Sequence, residues 1–347
     1  ILIRHRRRYH QQVGEAIEEI FAGQLNEQAP LLAYHFQQAG DAQRALRYLS
    51  LAARNAARLY ANEEAFDLYS SAIETAVELG RRDSAAAELY HERGRLNEVM
   101  GDYESARADL EQALAIAREA GDEEFEWRVM LDLGNLWTAR DYAEAGDYYE
   151  RALALARRID DAALLAQTLN RLGNWNANAE HPQQAITLHQ EALGIIEQLD
   201  DKEGLANTLD LLGMANLLAG RNSDARAYYD RAVVLFRELD DRFRLASSLV
   251  TSRAGSTYND LSPVYGPQMA FETERSVAEA YQIAQEIGWL SGESFALWVF
   301  TLFKQTQGSY GEAFEMAERG LQIASEIDHR QWMTGHEFNL AILYSEL

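Results

Sequence analysis

The residue types that most often carry catalysis or bind metals occur in this sequence without the spacing that such chemistry needs. The pairs His91-Glu92 and His336-Glu337 lack the second histidine of a zinc-protease helix, and the eight histidines share no common spacing. There is no cysteine and no glycine-rich phosphate loop or dinucleotide fingerprint. The six tryptophans fall at helical phases, and we interpret them as core residues rather than a ligand cage. We therefore expect no catalytic residues, no metal site and no cofactor.

The charge and hydropathy of the chain exclude two classes of partner. A net charge of −23 repels phosphate backbones, so we expect no binding to nucleic acid. No run approaches the roughly 18 apolar residues that span a bilayer, and there is no signal segment, so we expect no membrane partner. The absence of cysteine fits a reducing compartment, and we expect a cytoplasmic location.

The two ends of the chain suggest a fragment of a longer protein. The chain begins at Ile1 rather than at methionine, and it stops at Leu347 within an apolar helical pattern. The one basic cluster that stands out is Arg4, Arg6, Arg7 and Arg8. We interpret it as the basic edge of a helix that packs against an upstream domain, with a nucleic-acid arm as the alternative. The oligomeric state stays open.

A series of small residues recurs along the chain at intervals of about 40 residues and indicates a repeated helical unit. The series has steps of 41, 39, 40, 40, 48 and 40 residues, and it runs Ala72, Ala113, Ala152, Ala192, Ala232, Ala280, Gly320. An apolar residue follows each member, and another alanine usually stands seven residues before it. Spacings of three, four and seven place these residues on one helix face, where we expect tight helix crossings.

A second helix precedes each of these helices and carries a glycine at a matching position. The glycines are Gly94, Gly134, Gly173 and Gly213. A glycine inside a helix costs about 1 kcal/mol relative to alanine, so its recurrence predicts a close approach of two helices there. Aspartates at the joints between units are expected to cap the next helix, as in Asp160-Asp161 and Asp328-His329. The unit is therefore helix, short turn, helix.

These residues resemble the tetratricopeptide repeat. The run Gly101-Asp102-Tyr103-Glu104-Ser105-Ala106, with Leu110, Ala113, Leu114 and Ala117, looks like the turn and second helix of that repeat, and Leu133-Gly134-Asn135-Leu136-Trp137 looks like its first helix. The usual unit has about 34 residues, whereas this one has about 40. The resemblance covers residues 41–347 and implies an all-α fold, a right-handed superhelical solenoid of stacked helix pairs.

The resemblance also implies a binding groove lined by the first helix of each pair. Its inward positions lie one after, three before and six before each glycine. They yield the candidate binding residues Arg95, Arg128, Asn135, Gln167, Asn170, Asn174, Asn207 and Asp210. Amide side chains offer donors and acceptors, so the asparagines and Gln167 are suited to the backbone of an extended peptide. The alternative is that they only solvate an exposed groove. The two-lysine carboxylate clamp of some family members is absent at these positions.

The first departure from the pattern lies near the start, where Ala45 and Ala65 are only 20 residues apart; this half period predicts one additional helix in the stack. We expect residues 1–40 to form two shorter helices that start the array. A second resemblance runs from Arg6-Arg7-Arg8-Tyr9-His10 through Ala33-Tyr34-His35-Phe36 to Ala45-Leu46-Arg47-Tyr48-Leu49. It looks like the junction that follows the ATPase and winged-helix domains of bacterial STAND-type signal-transduction ATPases and LuxR-like regulators. It implies that this chain is the sensor arm of such a protein.

The step of 48 residues marks a loop insertion. The extra residues fall in 255–267, where two of the four prolines stand with two glycines. We interpret the insertion as a tolerated surface loop, with a binding loop that uses Tyr258 and Tyr265 as the alternative.

These patterns leave three hypotheses for function. The leading one is a non-catalytic sensor domain of a bacterial signalling regulator that binds a protein, a peptide or a small-molecule effector. The second is a stand-alone scaffold that joins two proteins. The third is the regulatory arm of an enzyme such as a nucleotide cyclase.

Overall fold

The computed structural model describes residues 2–258 and 267–346, with side chains over residues 3–254 and 270–346. Every regular element in these ranges is an α-helix, as the sequence predicts. None of the described helices is long and apolar enough to cross a membrane. Tyr265 and the side chain of Tyr258 lie outside the described residues, so the alternative reading of 255–267 as a binding loop stays a prediction.

The chain divides into two compact units, residues 1–160 and 161–347. The helices of unit 1 are α1 (Leu2–Ile20), α2 (Leu25–Ala39), α3 (Ala42–Arg58), α4 (Asn62–Glu78), α5 (Ser84–Val99), α6 (Tyr103–Ala120), α7 (Glu123–Thr138) and α8 (Tyr142–Ala156). Those of unit 2 are α9 (Ala162–Asn178), α10 (Pro182–Ile196), α11 (Lys202–Leu218), α12 (Asn222–Glu238), α13 (Arg242–Tyr258), α14 (Pro267–Glu286), α15 (Leu290–Thr306), α16 (Tyr310–Glu326) and α17 (Arg330–Glu346). Odd-numbered helices are the first helices of the pairs, and even-numbered helices are the second.

Aspartate caps start many of these helices. The carboxylates of Asp122, Asp161 and Asp201 accept bonds from backbone N–H groups three residues later, at 2.8 to 3.0 Å. Asp241 does the same for Arg244 at 3.0 Å. Asp328 differs from this expectation: it adopts a positive φ of 51°, and the His329 ring instead lies 3.5 Å from the N–H of Trp332. Asp240 has a similar φ of 55° directly before the capping residue Asp241, so Asp328 corresponds to Asp240, and His329 stands at the capping position.

Three of the four recurring glycines lie beneath rings of the second helices, whereas a Cβ added at Gly94 would lie 3.1 Å from the Leu110 side chain. A Cβ added at Gly134 would lie 2.5 Å from the Tyr149 ring, and one at Gly213 would lie 2.8 Å from the Tyr229 ring. At Gly173 the ring is that of His189, at 2.6 Å. The predicted close approach of paired helices is therefore confirmed, and at three of the four glycines a ring of the second helix occupies the space that a Cβ would take.

Each unit has its own core. In unit 1 it is built around Phe36, Tyr48 and Tyr69, and in unit 2 a large cluster surrounds Phe236 and Val299. The alanines of the repeat series are fully buried, including Ala152 and Ala192. Their lack of a long side chain lets neighbouring helices approach at native packing density.

Candidate binding surface on the first helices

In unit 1 the candidate residues lie on α5 and α7, and all three are exposed. Arg128 forms an exposed ion pair with Glu124 at 3.4 Å, and its guanidinium lies 5.5 Å from the centre of the Phe125 ring. Asn135 accepts a hydrogen bond of 2.7 Å from the Tyr149 hydroxyl, so the ring that covers Gly134 also orients this amide. Arg95 is exposed on α5.

In unit 2 the amides at two of the three inward positions, one after and six before each glycine, are available to a ligand. Gln167 and Asn174 are exposed on α9, and Asn207 is half-buried on α11. No described residue forms a hydrogen bond with the side chains of these three amides. An unbonded amide offers two donors and an acceptor with two lone pairs.

Polar residues at the third inward position, three before each glycine, form hydrogen bonds within the protein. Asn170 donates to the Thr208 hydroxyl at 2.7 Å and lies 2.9 Å from Nδ1 of His189. Asp210 accepts from the Ser248 hydroxyl, which joins α11 to α13. In unit 1, His91 at the same phase contacts Asp132 on α7 at 2.6 Å. Residues at this phase therefore bridge consecutive first helices.

Burial sets the protonation states in these bridges. Burial lowers the pKa of His189 to about 4, so its ring is neutral and Nδ1–H donates to the Asn170 carbonyl oxygen. Burial also raises the pKa of Asp210, although the bond from Ser248 opposes this change. For His91 burial lowers the pKa, but the hydrogen bond to Asp132 and the Glu92 carboxylate 3.6 Å from Nδ1 outweigh it and leave the pKa raised. The polar pairs are thus part of the packing.

Aromatic side chains of α15 and α17 line a cavity. The interpretation of the tryptophans as core residues does not predict this cavity. The cavity has a volume of about 470 Å³ and is lined by Trp298, Gln331, Trp332, Thr334, Gly335 and Phe338. Trp332 stacks on Phe295 at 4.7 Å between ring centres, and Trp298 lies 6.1 Å from Trp332. Both tryptophans are half-buried, whereas Trp127 is buried as expected.

The register of the repeat could have located this cavity. Continuing the 40- and 48-residue steps from Gly213 leads through Arg253 to Thr301 and Ala341. Three residues before the last two stand Trp298 and Phe338, at the phase of Asn170 and Asp210. The first-helix face of unit 2 thus carries amides on α9 and α11 and aromatic side chains on α15 and α17.

No group of three or more histidine, aspartate or glutamate residues in the described ranges could hold a metal ion.

Comparisons with known proteins agree with this architecture. Tetratricopeptide repeat family models match residues 87–119, 134–198 and 178–238. No curated protein sequence matches the chain. Among solved structures, BtubC (BKLC) from P. vanneervenii is 26% identical, with a TM-score of 0.54, and the match covers 64% of this chain and 90% of that protein.

Two further structures share the fold at lower identity. A Signal Transduction ATPase with Numerous Domains (STAND) protein with a tetratricopeptide repeat sensor, from Pyrococcus horikoshii, is 13% identical with a TM-score of 0.70; the match covers 94% of this chain and half of that protein. A Rap protein complexed with competence and sporulation factor is 12% identical with a TM-score of 0.52, over 99% of this chain and 98% of that one. The matched residues, 87–119 and 134–238, therefore contain tetratricopeptide repeats, and their helix pairs carry the recurring glycines.

Proposed function

We propose that unit 2 is a non-catalytic binding surface for an extended peptide segment of a partner protein. The observation that carries this proposal is the set of unbonded amides Gln167, Asn174 and Asn207 on two consecutive first helices. Asparagine is a poor helix former, so its repetition on one helix face needs a reason other than helix stability. Hydrogen bonds to the peptide backbone are that reason, since amides pair with backbone N–H and C=O groups of any sequence.

The aromatic cavity supplies the selectivity that backbone bonds lack. Trp298, Trp332 and Phe338 surround a volume of about 470 Å³ on the same face. Phe338 is 59% exposed, so a ligand that covers it removes apolar surface from water. A buried aromatic or aliphatic anchor typically dominates the affinity of such a complex. The preferred peptide therefore carries one large apolar side chain beyond its amide-bonded stretch.

The role that we propose for the whole chain is that of a sensor domain in a signalling regulator. Its support is the shared fold with the STAND protein that has a tetratricopeptide repeat sensor, and with the Rap protein complexed with competence and sporulation factor. In such a protein, peptide binding to the first-helix face would change the activity of the other domains of the regulator.

A peptide-display selection against the full chain tests the proposal. Random dodecapeptides are selected, and the enriched ones are measured by fluorescence anisotropy with the wild type. The triple variant Gln167→Ala, Asn174→Ala, Asn207→Ala and the single variant Trp298→Ala are measured in parallel. We expect each variant to weaken binding at least about tenfold, equivalent to about 1.4 kcal/mol.

The control is the double variant Gln184→Ala, Gln190→Ala, whose side chains are exposed on the second helix α10. It removes amides of the same kind from another face, and we expect unchanged affinity. Failure to enrich any peptide, or equal losses in the control and the triple variant, would contradict the proposed surface.

A further inference from the structure

Positive charge is concentrated at the start of this acidic chain. Residues 1–60 contain eight arginines against five acidic residues, whereas the whole chain has a net charge of −23. The cluster at residues 4–8 accounts for only half of these arginines. Three of the others, Arg44, Arg47 and Arg54, stand on α3 at spacings of three and seven, which places them on one side of the helix.

These three arginines line a cavity in unit 1 between α3 and α5. The cavity has a volume of about 800 Å³, and a fourth arginine, Arg81, lies at its edge in the turn before α5. Aspartate and glutamate are absent from its lining. Guanidinium groups in a cavity wall attract an anion, and those without a tightly held carboxylate partner contribute most to this attraction.

The arginines differ in how firmly they are held. Arg44 is fixed by carboxylates of Asp41, Glu15 and Glu18 at 2.8 to 3.1 Å, so its role is structural. Arg47 is exposed, forms no ion pair with the described residues, and its guanidinium lies 5.3 Å from the centre of the Tyr48 ring. It is therefore the arginine most available to an incoming anion.

Two further arginines can exchange their present partners. Arg54 pairs with Glu88 at 2.7 Å, and Arg81 pairs with Asp83. The side chains of both pairs are 39% to 52% exposed. Exposed pairs of this kind contribute little to stability, so a ligand carboxylate or phosphate can take one carboxylate's place at small cost. Arginine is suited to this exchange because its guanidinium binds such groups through two parallel hydrogen bonds.

Buried apolar residues form one part of the remaining lining, and Asn26, Gln43 and Ser50 add polar groups to it. Leu46, Ala76, Ala86 and Leu89 are each no more than 6% exposed. A volume of about 800 Å³ lies within the usual range for small-molecule sites and is far larger than an inorganic phosphate. The ligand must therefore combine an anionic head with an apolar body.

We infer that unit 1 contains a binding site for a small amphipathic organic anion, separate from the peptide surface proposed for unit 2. The anionic head meets Arg47 and Arg54, and the apolar body lies against Leu46 and Leu89. Carboxylates and phosphate monoesters share this chemistry. A site of this kind makes unit 1 responsive to a small-molecule effector.

The test measures binding of 8-anilinonaphthalene-1-sulfonate to the full chain, followed by competition with octanoate, octyl phosphate and neutral octanamide. We expect an increase in fluorescence that octanoate or octyl phosphate reverses and octanamide does not. The stronger of the two competitors identifies the head group. Competition by octanamide equal to that of the anions, or no binding of any of the three anionic probes at 1 mM, would overturn the inference.

Charge-reversal variants on one helix locate the site. Arg47→Glu places a negative charge in the cavity, and we expect at least a tenfold loss of affinity for the probe. Arg58→Glu makes the same change on an exposed residue of α3 outside the lining, and we expect less than a twofold change. Circular dichroism of both variants verifies the fold, and equal losses in the two would assign the effect to net charge and reject the site.

Discussion

Asn170 and Asn174 stand four residues apart on α9 and have different roles. The amide of Asn170 is shared between His189 and Thr208, whereas no described residue bonds the Asn174 side chain. Four residues correspond to slightly more than one helical turn, so both residues lie on the same face of the helix. The difference arises from their neighbours: a residue three before the glycine meets the next first helix, and a residue one after it meets solvent.

Asn170→Ala should destabilise the protein. The change removes the acceptor of the buried His189 Nδ1–H, and an unsatisfied buried polar group costs about 1–3 kcal/mol. Thr208 loses the bond from Asn170 but still donates to the Gly204 carbonyl oxygen at 2.8 Å. Asn174→Ala, on the same helix, should change stability by no more than about 0.5 kcal/mol. Urea denaturation followed by circular dichroism measures both. Equal effects of the two variants would show that the bridging role of Asn170 is wrong.

His189 should make unit 2 sensitive to acid. Its pKa is about 4 in the folded protein against an ordinary value of 6.5, because burial disfavours the charged ring. The unfolded chain therefore takes up a proton as the pH falls below 6.5, while the folded ring stays neutral until about pH 4. Stability is present above pH 6.5 and is lost as the pH falls, by about 2 kcal/mol between pH 7 and pH 5.

His189→Tyr isolates this contribution. Tyrosine occupies the equivalent positions 149 and 229, where its ring covers Gly134 and Gly213. Tyrosine does not titrate between pH 5 and 7, so we expect the variant to lose about 2 kcal/mol less than the wild type over that interval. His336, whose pKa is also about 4, is present in both proteins and cancels in the comparison. Identical pH profiles from denaturation at pH 7 and pH 5 would contradict the assignment.

At the scale of the element, the helix pair is held by small residues that face larger ones. Gly173 lies beneath the His189 ring, and Ala192, three residues after His189 on α10, is fully buried. Close packing leaves no room for additional atoms at these two positions, so only small residues fit there. This holds even though larger residues such as leucine have a higher helix propensity than glycine.

Gly173→Ala and Gly194→Ala should have opposite signs. A Cβ at residue 173 would lie 2.6 to 2.8 Å from three atoms of a buried ring, so we expect a net loss of about 1–2 kcal/mol despite the better helix propensity. No atom lies within 4 Å of a Cβ added at Gly194, so alanine should stabilise that helix by up to about 1 kcal/mol. Thermal denaturation of the two single variants measures both effects. A higher melting temperature for Gly173→Ala would contradict the close approach of the two helices at this glycine.

Ala192→Leu tests the register of the second helices. Three additional carbon atoms at a fully buried crossing should strain two helices and cost about 1–3 kcal/mol. Glu191→Leu adds an apolar residue at the neighbouring exposed position and serves as the control. We expect a clearly lower melting temperature for Ala192→Leu alone. An unchanged melting temperature would mean that the crossing lies elsewhere.

At the scale of the whole molecule, excess negative charge opposes the compact state. A net charge of −23 produces repulsion that the exposed ion pairs of the described residues offset only weakly. Raising the salt concentration from 0.01 M to 0.15 M shortens the screening length from about 30 Å to about 8 Å. We therefore expect the melting temperature to rise over this interval. Choline chloride in place of sodium chloride controls for cation binding, and a fall in both salts would show that attractive pairs dominate.

Much of the fold was predictable from local patterns. The small-residue series located the second helices, the glycines located the first helices, and Asp122, Asp161, Asp201 and Asp241 cap their helices as expected. Asp328 does not cap its helix, because it corresponds to the left-handed Asp240 that precedes a cap, and His329 follows it at the capping position. Helical phase grouped Asn170 and Asp210 on one helix face, but it does not show which neighbouring side chains they bond.

The sequence by itself determined the repeating helix pair of this protein, because helix periodicity, capping and small residues act within about twenty neighbouring positions. Tertiary structure alone decided which polar side chains bridge first helices and which stay free. It also brought Trp298 and Trp332 together around one cavity, and Arg47 and Leu89 around another. The physical reason is that these surfaces join residues more than thirty positions apart, and the packing of successive helix pairs determines which of their side chains meet.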